Sequence, residues 1–104
     1  EVVNTTEQLV RVDPSSGSYE QLGWAKFRLG DYTASSDAYK TAVDFDEENW
    51  RALNGIGVNA LNTWLLAQRK DIDGYEDARA AFRRSLSLNP DQPKVITLVL
   101  RYGL

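Results

Sequence analysis

Apolar positions recur along this chain at helical spacing, and the chain uses that spacing twice. Tyr19, Leu22, Ala25 and Leu29 fall on one face of a helix, with Gly23 beside them. Gly30-Asp31 makes a turn in which Asp31 serves as N-cap, and Tyr32, Ser35, Tyr39, Ala42 and Val43 carry the stripe of a returning helix. So short a turn makes the two helices antiparallel. Displaced by 34 residues, Tyr19 falls on Leu53, Leu22 on Ile56 and Gly23 on Gly57; displaced by 43, Tyr32 falls on Tyr75, Tyr39 on Phe82 and Phe45 on Leu88. The second copy therefore carries nine extra residues in its middle. A period of this size marks stacked supersecondary units. Glycine in mid-helix costs about 1 kcal/mol relative to alanine, so its recurrence at Gly23 and Gly57 points to close helix approach.

Around the two copies the pattern predicts shorter elements. Asn4-Thr5-Thr6-Glu7-Gln8 offers two capping boxes ahead of Leu9, Val10 and Val12, predicting a short helix from Thr5 to Val12 that ends at Asp13-Pro14. Ser18, with Gln21 three residues on, opens the next helix. Asn49 caps a third long one, whose stripe runs Leu53, Ile56, Ala60, Leu61, Trp64, Leu65. The insertion within 62–72 has two readings. One is a single helix from Asn49 to Lys70, about 33 Å long, whose last turns project and expose Trp64, Leu65 or Leu66. The other breaks at Asn62-Thr63 and folds the extra residues back as a loop. Trp-Leu-Leu-Ala-Gln-Arg-Lys consists mainly of adequate helix formers, which favours the long helix. Asp73-Gly74-Tyr75-Glu76 then restarts the pattern with a capping box, and Ala78, Ala81, Phe82, Leu86 and Leu88 face inward. Asp91-Gln92-Pro93 reads as N-cap and first-turn proline of a last helix. Val95 to Leu100 would suit a strand by propensity, but a lone strand would have no partner, so a helix covering the open end is expected.

Composition changes this picture mainly by exclusion. At 104 residues, with 42% hydrophobic and 26% charged residues, the chain has the values of one globular domain rather than a disordered segment. A net charge of −3 argues against nucleic acid or an anionic membrane as partner, and no apolar run reaches the roughly 18 residues of a membrane span. With no His and no Cys, the commonest general base, thiol chemistry and the usual zinc and haem ligands are missing. No catalytic residue, cofactor site or metal site is therefore expected. The absence of Met, even at position 1, suggests a piece of a longer or processed soluble chain.

The spacing Tyr19-x2-Leu22-Gly23, Gly30-Asp31-Tyr32, Tyr39-x2-Ala42 resembles a tetratricopeptide repeat. Leu53-x2-Ile56-Gly57, Gly74-Tyr75-x2-Ala78-x3-Phe82, Asn89-Pro90 is similar to a second one. Lys26 and Ala60 stand where the family usually places an aromatic, Ser35 stands for a small Ala, and Glu47 for the closing proline. The resemblance implies an all-α fold, a right-handed stack of antiparallel helix hairpins with about six helices. Its parts would be an N-terminal helical segment (1–17), repeat one (18–48), repeat two with the insertion (49–90) and a C-terminal capping helix (91–104).

It also implies a function: binding of a protein or peptide in the concave groove lined by the first helix of each repeat, in a scaffold or adaptor role. By family position the groove residues are Glu20, Trp24, Phe27 and Arg28, then Arg51, Asn54, Val58, Leu61 and Asn62, then Lys94, Thr97 and Arg101. The family's carboxylate clamp for chaperone tails maps to Glu20, Trp24, Gly55, Lys94 and Leu98, of which only Lys94 is of the expected type. Trp24 and Phe27 would give an aromatic floor, or else pack against the first short helix. Arg28, Arg51 and Arg101 could pair with an acidic or extended peptide. The alternative role is structural: weak homo-oligomerisation or tethering through Trp64, Leu65 and Leu66 of the long helix.

Other strings have duller explanations. Gly55-x-Gly57-x-x-Ala60 matches a dinucleotide fingerprint but lacks the strand that must precede it. Asp44-x-Asp46-x-Glu48 lacks the glycine and closing glutamate of a calcium loop. Arg69, Lys70, Arg79, Arg83 and Arg84 mingle with Asp71, Asp73, Glu76 and Asp77, which predicts a mixed, salt-bridged surface. Asn4-Thr5-Thr6 fits the glycosylation triplet, a pattern that arises easily by chance.

Overall fold

A computed structural model describes residues 2–104, with side chains from residue 5 onward, so the Asn4 acceptor lies outside the described side chains. Six helices follow one another: α1 (Val2–Val12), α2 (Ser16–Arg28), α3 (Tyr32–Phe45), α4 (Trp50–Leu66), α5 (Ile72–Leu88) and α6 (Pro93–Tyr102), with no strand among the described residues. The expected all-α architecture of antiparallel hairpins is the observed one. α2 pairs with α3 and α4 with α5, while α3 packs on α4 to join the hairpins.

Small residues let the helices meet. A Cβ on Gly23 would lie 2.8 Å from the Tyr39 ring, and one on Gly57 2.7 Å from the Phe82 ring. Real Cβ atoms do not approach so closely, so glycine is what allows each returning helix to seat its aromatic on the outgoing one. Gly55 abuts the Tyr39 ring as well, which wedges that ring between α2 and α4. The Tyr39 and Phe82 contacts together explain both glycines of the fingerprint string, which lies inside α4.

Polar ties repeat with the same period. Asn49 caps α4 by accepting from the Ala52 N–H (3.0 Å), while its Nδ2 reaches back to Ser16 Oγ (2.8 Å) and Glu20 Oε1 (3.0 Å). Its counterpart Gln92, preceding α6, sends Nε2 to Ser85 Oγ (3.0 Å) and the Asn89 carbonyl (2.8 Å). Buried Ser35, standing where the family has a small Ala, donates to the Gly23 carbonyl (2.7 Å). Lys26, in an aromatic's usual place, pairs instead with Glu7 of α1 at 2.9 Å.

Several boundaries differ from expectation. α2 begins at Ser16, because Ser15 is the cap and makes a reciprocal box with Ser18 rather than Ser18 with Gln21. Asp71, not Asp73, caps α5 by accepting from the Gly74 N–H (3.1 Å). The cap of α6 is Gln92, not Asp91, and Pro93 takes its first position.

The single long helix to Lys70 does not form. α4 ends at Leu66, and Gln68 and Arg69 turn the chain at φ 55° and 63°, a left-handed geometry unfavourable for residues with a Cβ. The turn is held by the Arg69 N–H to the Trp64 carbonyl (2.8 Å) and by the Arg69 guanidinium, 5.4 Å from the Trp64 ring centre. Four of the nine extra residues lengthen α4, two the turn and three α5. Trp64 is thus not projected but 8% exposed, against Tyr75 (ring centres 5.3 Å apart) and Tyr102 (6.3 Å).

The end of α6 closes over this extension: Leu104 is buried, and the Gly103 and Leu104 carbonyls accept from Tyr75 Oη (2.6 Å) and Arg83 Nε (2.7 Å). Trp64→Ala is expected to lower the unfolding free energy by about 3–5 kcal/mol. Leu66→Ala, at a side chain 79% exposed, should change it by less than about 0.5 kcal/mol. Urea unfolding of the two variants checks the contrast, and equal losses would place Trp64 outside the core.

Candidate binding groove

α4 presents three faces: Gly57, Leu61 and Trp64 toward α5 and the core, and two others bordering open depressions. One depression, of about 280 Å³, lies between α2 and α4 and is lined by Trp24, Phe27, Arg28, Tyr39, Arg51, Asn54, Gly55 and Val58. A second, of about 460 Å³, continues it toward α6 and is lined by Asn54, Gln92, Pro93, Lys94 and Val95. The first helices of the two hairpins and α6 thus border one groove, with Asn54 shared by both halves.

Its wall is aromatic and its rim basic. Trp24 is half exposed, and the Arg28 guanidinium lies over its ring at 5.0 Å. Phe27 tilts against Tyr32 (5.5 Å between ring centres), and Arg51 lies over Trp50 at 4.3 Å. Arg28, Arg51 and Lys94 therefore present positive charge along the groove of a chain whose net charge is −3. Between them Asn54 is held in one orientation. Gln92 Nε2 is committed to the acceptors of Ser85 and Asn89, so Gln92 Oε1 must accept from Asn54 Nδ2 (2.7 Å). Asn54 Oδ1 is left buried with no partner among the described residues, an acceptor whose isolation costs about 1–3 kcal/mol.

Of the residues placed in the groove by family position, Trp24, Phe27, Arg28, Arg51, Asn54 and Val58 come together, and Lys94 lines the extension toward α6. Glu20 instead accepts from Asn49 beside the groove. Leu61 requires correction: it is 5% exposed and packs in the core with Phe82. Asn62 lies in a separate depression with Tyr32, Leu65 and Leu66, near the α4–α5 turn. Thr97 and Arg101 are exposed on α6 but line neither half, and Thr97 Oγ1 donates to the Pro93 carbonyl (2.9 Å).

For the self-association set, Trp64 is likewise corrected to a core residue. Leu65 is half-buried, and only Leu66 is well exposed. The basic cluster is not salt-bridged as expected: among the described residues none of its arginines is ion-paired. Arg69 lies over Trp64, while Arg83 and Arg84 donate to the Leu104 and Glu47 carbonyls. Asp46 of the acidic string accepts from the Glu48 N–H (3.0 Å), an Asx turn between the hairpins.

Sequence reasoning missed Tyr39, Gly55, Gln92, Pro93 and Val95. Tyr39 belongs to the hairpin core, yet the same ring forms the groove floor. A second glycine two residues before Gly57 was the available signal. Burial, reinforced by the negative charge of Glu20, pushes the Tyr39 phenol up to about 12. The native state therefore keeps a proton that the unfolded chain releases from about pH 10 upward, so this group's contribution is intact below pH 10 and is lost as pH rises toward 12. Tyr39→Phe should keep the ring contacts and remove that part of the pH dependence. Denaturant midpoints of both proteins at pH 9 and pH 12 measure it, and parallel losses would show that the phenol is not held neutral by the fold.

Comparison with known proteins agrees with this geometry. A family model described as tetratricopeptide repeat matches residues 16–49, the span of α2, its turn, α3 and the cap of α4. No curated protein matches the chain.

Proposed function

We infer that this chain, whose residues 16–49 match a tetratricopeptide repeat, a repeat that generally mediates protein–protein interaction, binds an extended, acidic peptide segment in the groove between α2, α4 and α6 as a scaffold or adaptor module. The observation that carries this reading is the pairing of a half-exposed aromatic anchor, Trp24, with unpaired cations on the same wall. Arg28 and Arg51 have no carboxylate partner among the described residues. An apolar side chain of the ligand enters between Trp24 and Val58, and flanking carboxylates meet Arg28, Arg51 and Lys94. Buried aromatic and arginine anchors dominate such interfaces, while rim charges set orientation and association rate.

The test is a calorimetric titration with a capped pentapeptide of four glutamates around a central leucine. Trp24→Ala should weaken binding about tenfold, Arg51→Ala a few-fold, and the lysine counterpart of the peptide should not bind. Unchanged affinity in Trp24→Ala, or equal binding of the lysine peptide, would contradict the assignment.

A further inference from the structure

The other open face of α4 carries a second, chemically different cavity of about 480 Å³, walled by α3 and α5. Its ends are oppositely charged: Asp73 and Asp77 stand toward the start of α5, Lys40 and Arg84 toward the far end. None of these four is ion-paired among the described residues, and Arg84 spends one N–H on the Glu47 carbonyl (3.3 Å).

The floor adds an independent observation. Asn59, 3% exposed, lines the cavity and donates from Nδ2 to Ser35 Oγ (3.0 Å). Ser35 Oγ itself donates to the Gly23 carbonyl, so it can only accept from Asn59. The amide orientation is thereby fixed, and Asn59 Oδ1 is buried with no donor among the described residues. A buried acceptor left in this state is one that a ligand N–H would satisfy.

We propose that this cavity is a second docking site, for an extended protein segment carrying one basic and one acidic side chain. The basic group lies by Asp73 and Asp77, the acidic group by Lys40 and Arg84, and a ligand N–H turns toward Asn59. Asp77 and Arg84 are seven residues apart on α5, about 10 Å along its axis. An extended segment covers that distance in three residues at about 3.3 Å each. The occupant is an extended segment of this length, with small residues between its charged ones.

The site is separate from the α2–α4 groove, so the two fail independently. Amide chemical shifts of the 104-residue chain are followed while adding capped Lys-Ala-Ala-Glu, Lys-Ala-Ala-Lys or Glu-Ala-Ala-Glu. The mixed-charge peptide should shift amides near Lys40, Asn59 and Gly74, leave α2 unmoved and bind roughly two- to fivefold tighter than either control. Trp24→Ala should not alter this. Asp77→Lys, a change at an exposed position, should reverse the preference toward the two-glutamate peptide. Equal binding of all three peptides, shifts confined to the α2–α4 groove, or no shifts at millimolar peptide would overturn the proposal.

Discussion

The Tyr39 ring, held between Gly23 of α2 and Gly55 of α4, is the contact on which the rest of the structure depends. The Cδ1–Cε1 side of the ring meets Gly23 and closes the first hairpin, and the Cδ2–Cε2 side meets Gly55 and joins that hairpin to the second. The cost of two glycines within helices, about 1 kcal/mol each in propensity, is accepted because a methyl group at either place would overlap the ring. Phe82 on Gly57 repeats only the first half of this device. Forty-three residues beyond Gly55 stands Leu98, which packs on the core rather than leaving a slot. α6 is accordingly attached in another way, by Gln92 at its start and by Leu104 and the two terminal carbonyls at its end.

The same wedge produces the groove. Because Tyr39 comes from behind and fills the gap between α2 and α4, the groove has an aromatic floor while Trp24, Phe27 and Val58 form its sides. Polar groups then fix the register between units. Asn49 and Gln92, both preceding a first helix, reach back into the preceding hairpin. Asn54 and Asn59 each spend one amide end on a neighbour whose own orientation is already determined. Two carbonyl oxygens are left over, one on either side of α4. Among the described residues these are the only buried side-chain polar atoms without a hydrogen-bond partner, and both belong to α4.

Periodicity made the hairpins legible because it depends only on spacing, and the 34- and 43-residue displacements carried Gly23, Tyr39, Gly57 and Phe82 to their observed roles. Local chemistry was less decisive. Ser15 and Ser18 are both good caps, as are Asp71 and Asp73, and the choice between them falls to the packing of the following turn. The end of α4 was not legible, since residues 64–70 are adequate helix formers. What stops the helix is tertiary: burying Trp64 against Tyr75 and Tyr102 is worth more than continuing, even with Gln68 and Arg69 in left-handed geometry. Within the groove, Trp24, Arg28, Arg51 and Asn54 could be placed by family position. Leu61 could not, because with nine added residues the far half of α4 gains a longer partner helix, and its position there faces Phe82 instead of the groove.

A double-mutant cycle between Gly55 and Tyr39, read by urea unfolding, tests the wedge most directly. With Tyr39 present, Gly55→Ala should lower stability by about 1–3 kcal/mol through overpacking. In a Tyr39→Ala background the same change should be neutral or raise stability by up to about 1 kcal/mol, as helix propensity alone dictates. Equal effects of Gly55→Ala in the two backgrounds would mean that the ring does not join the hairpins.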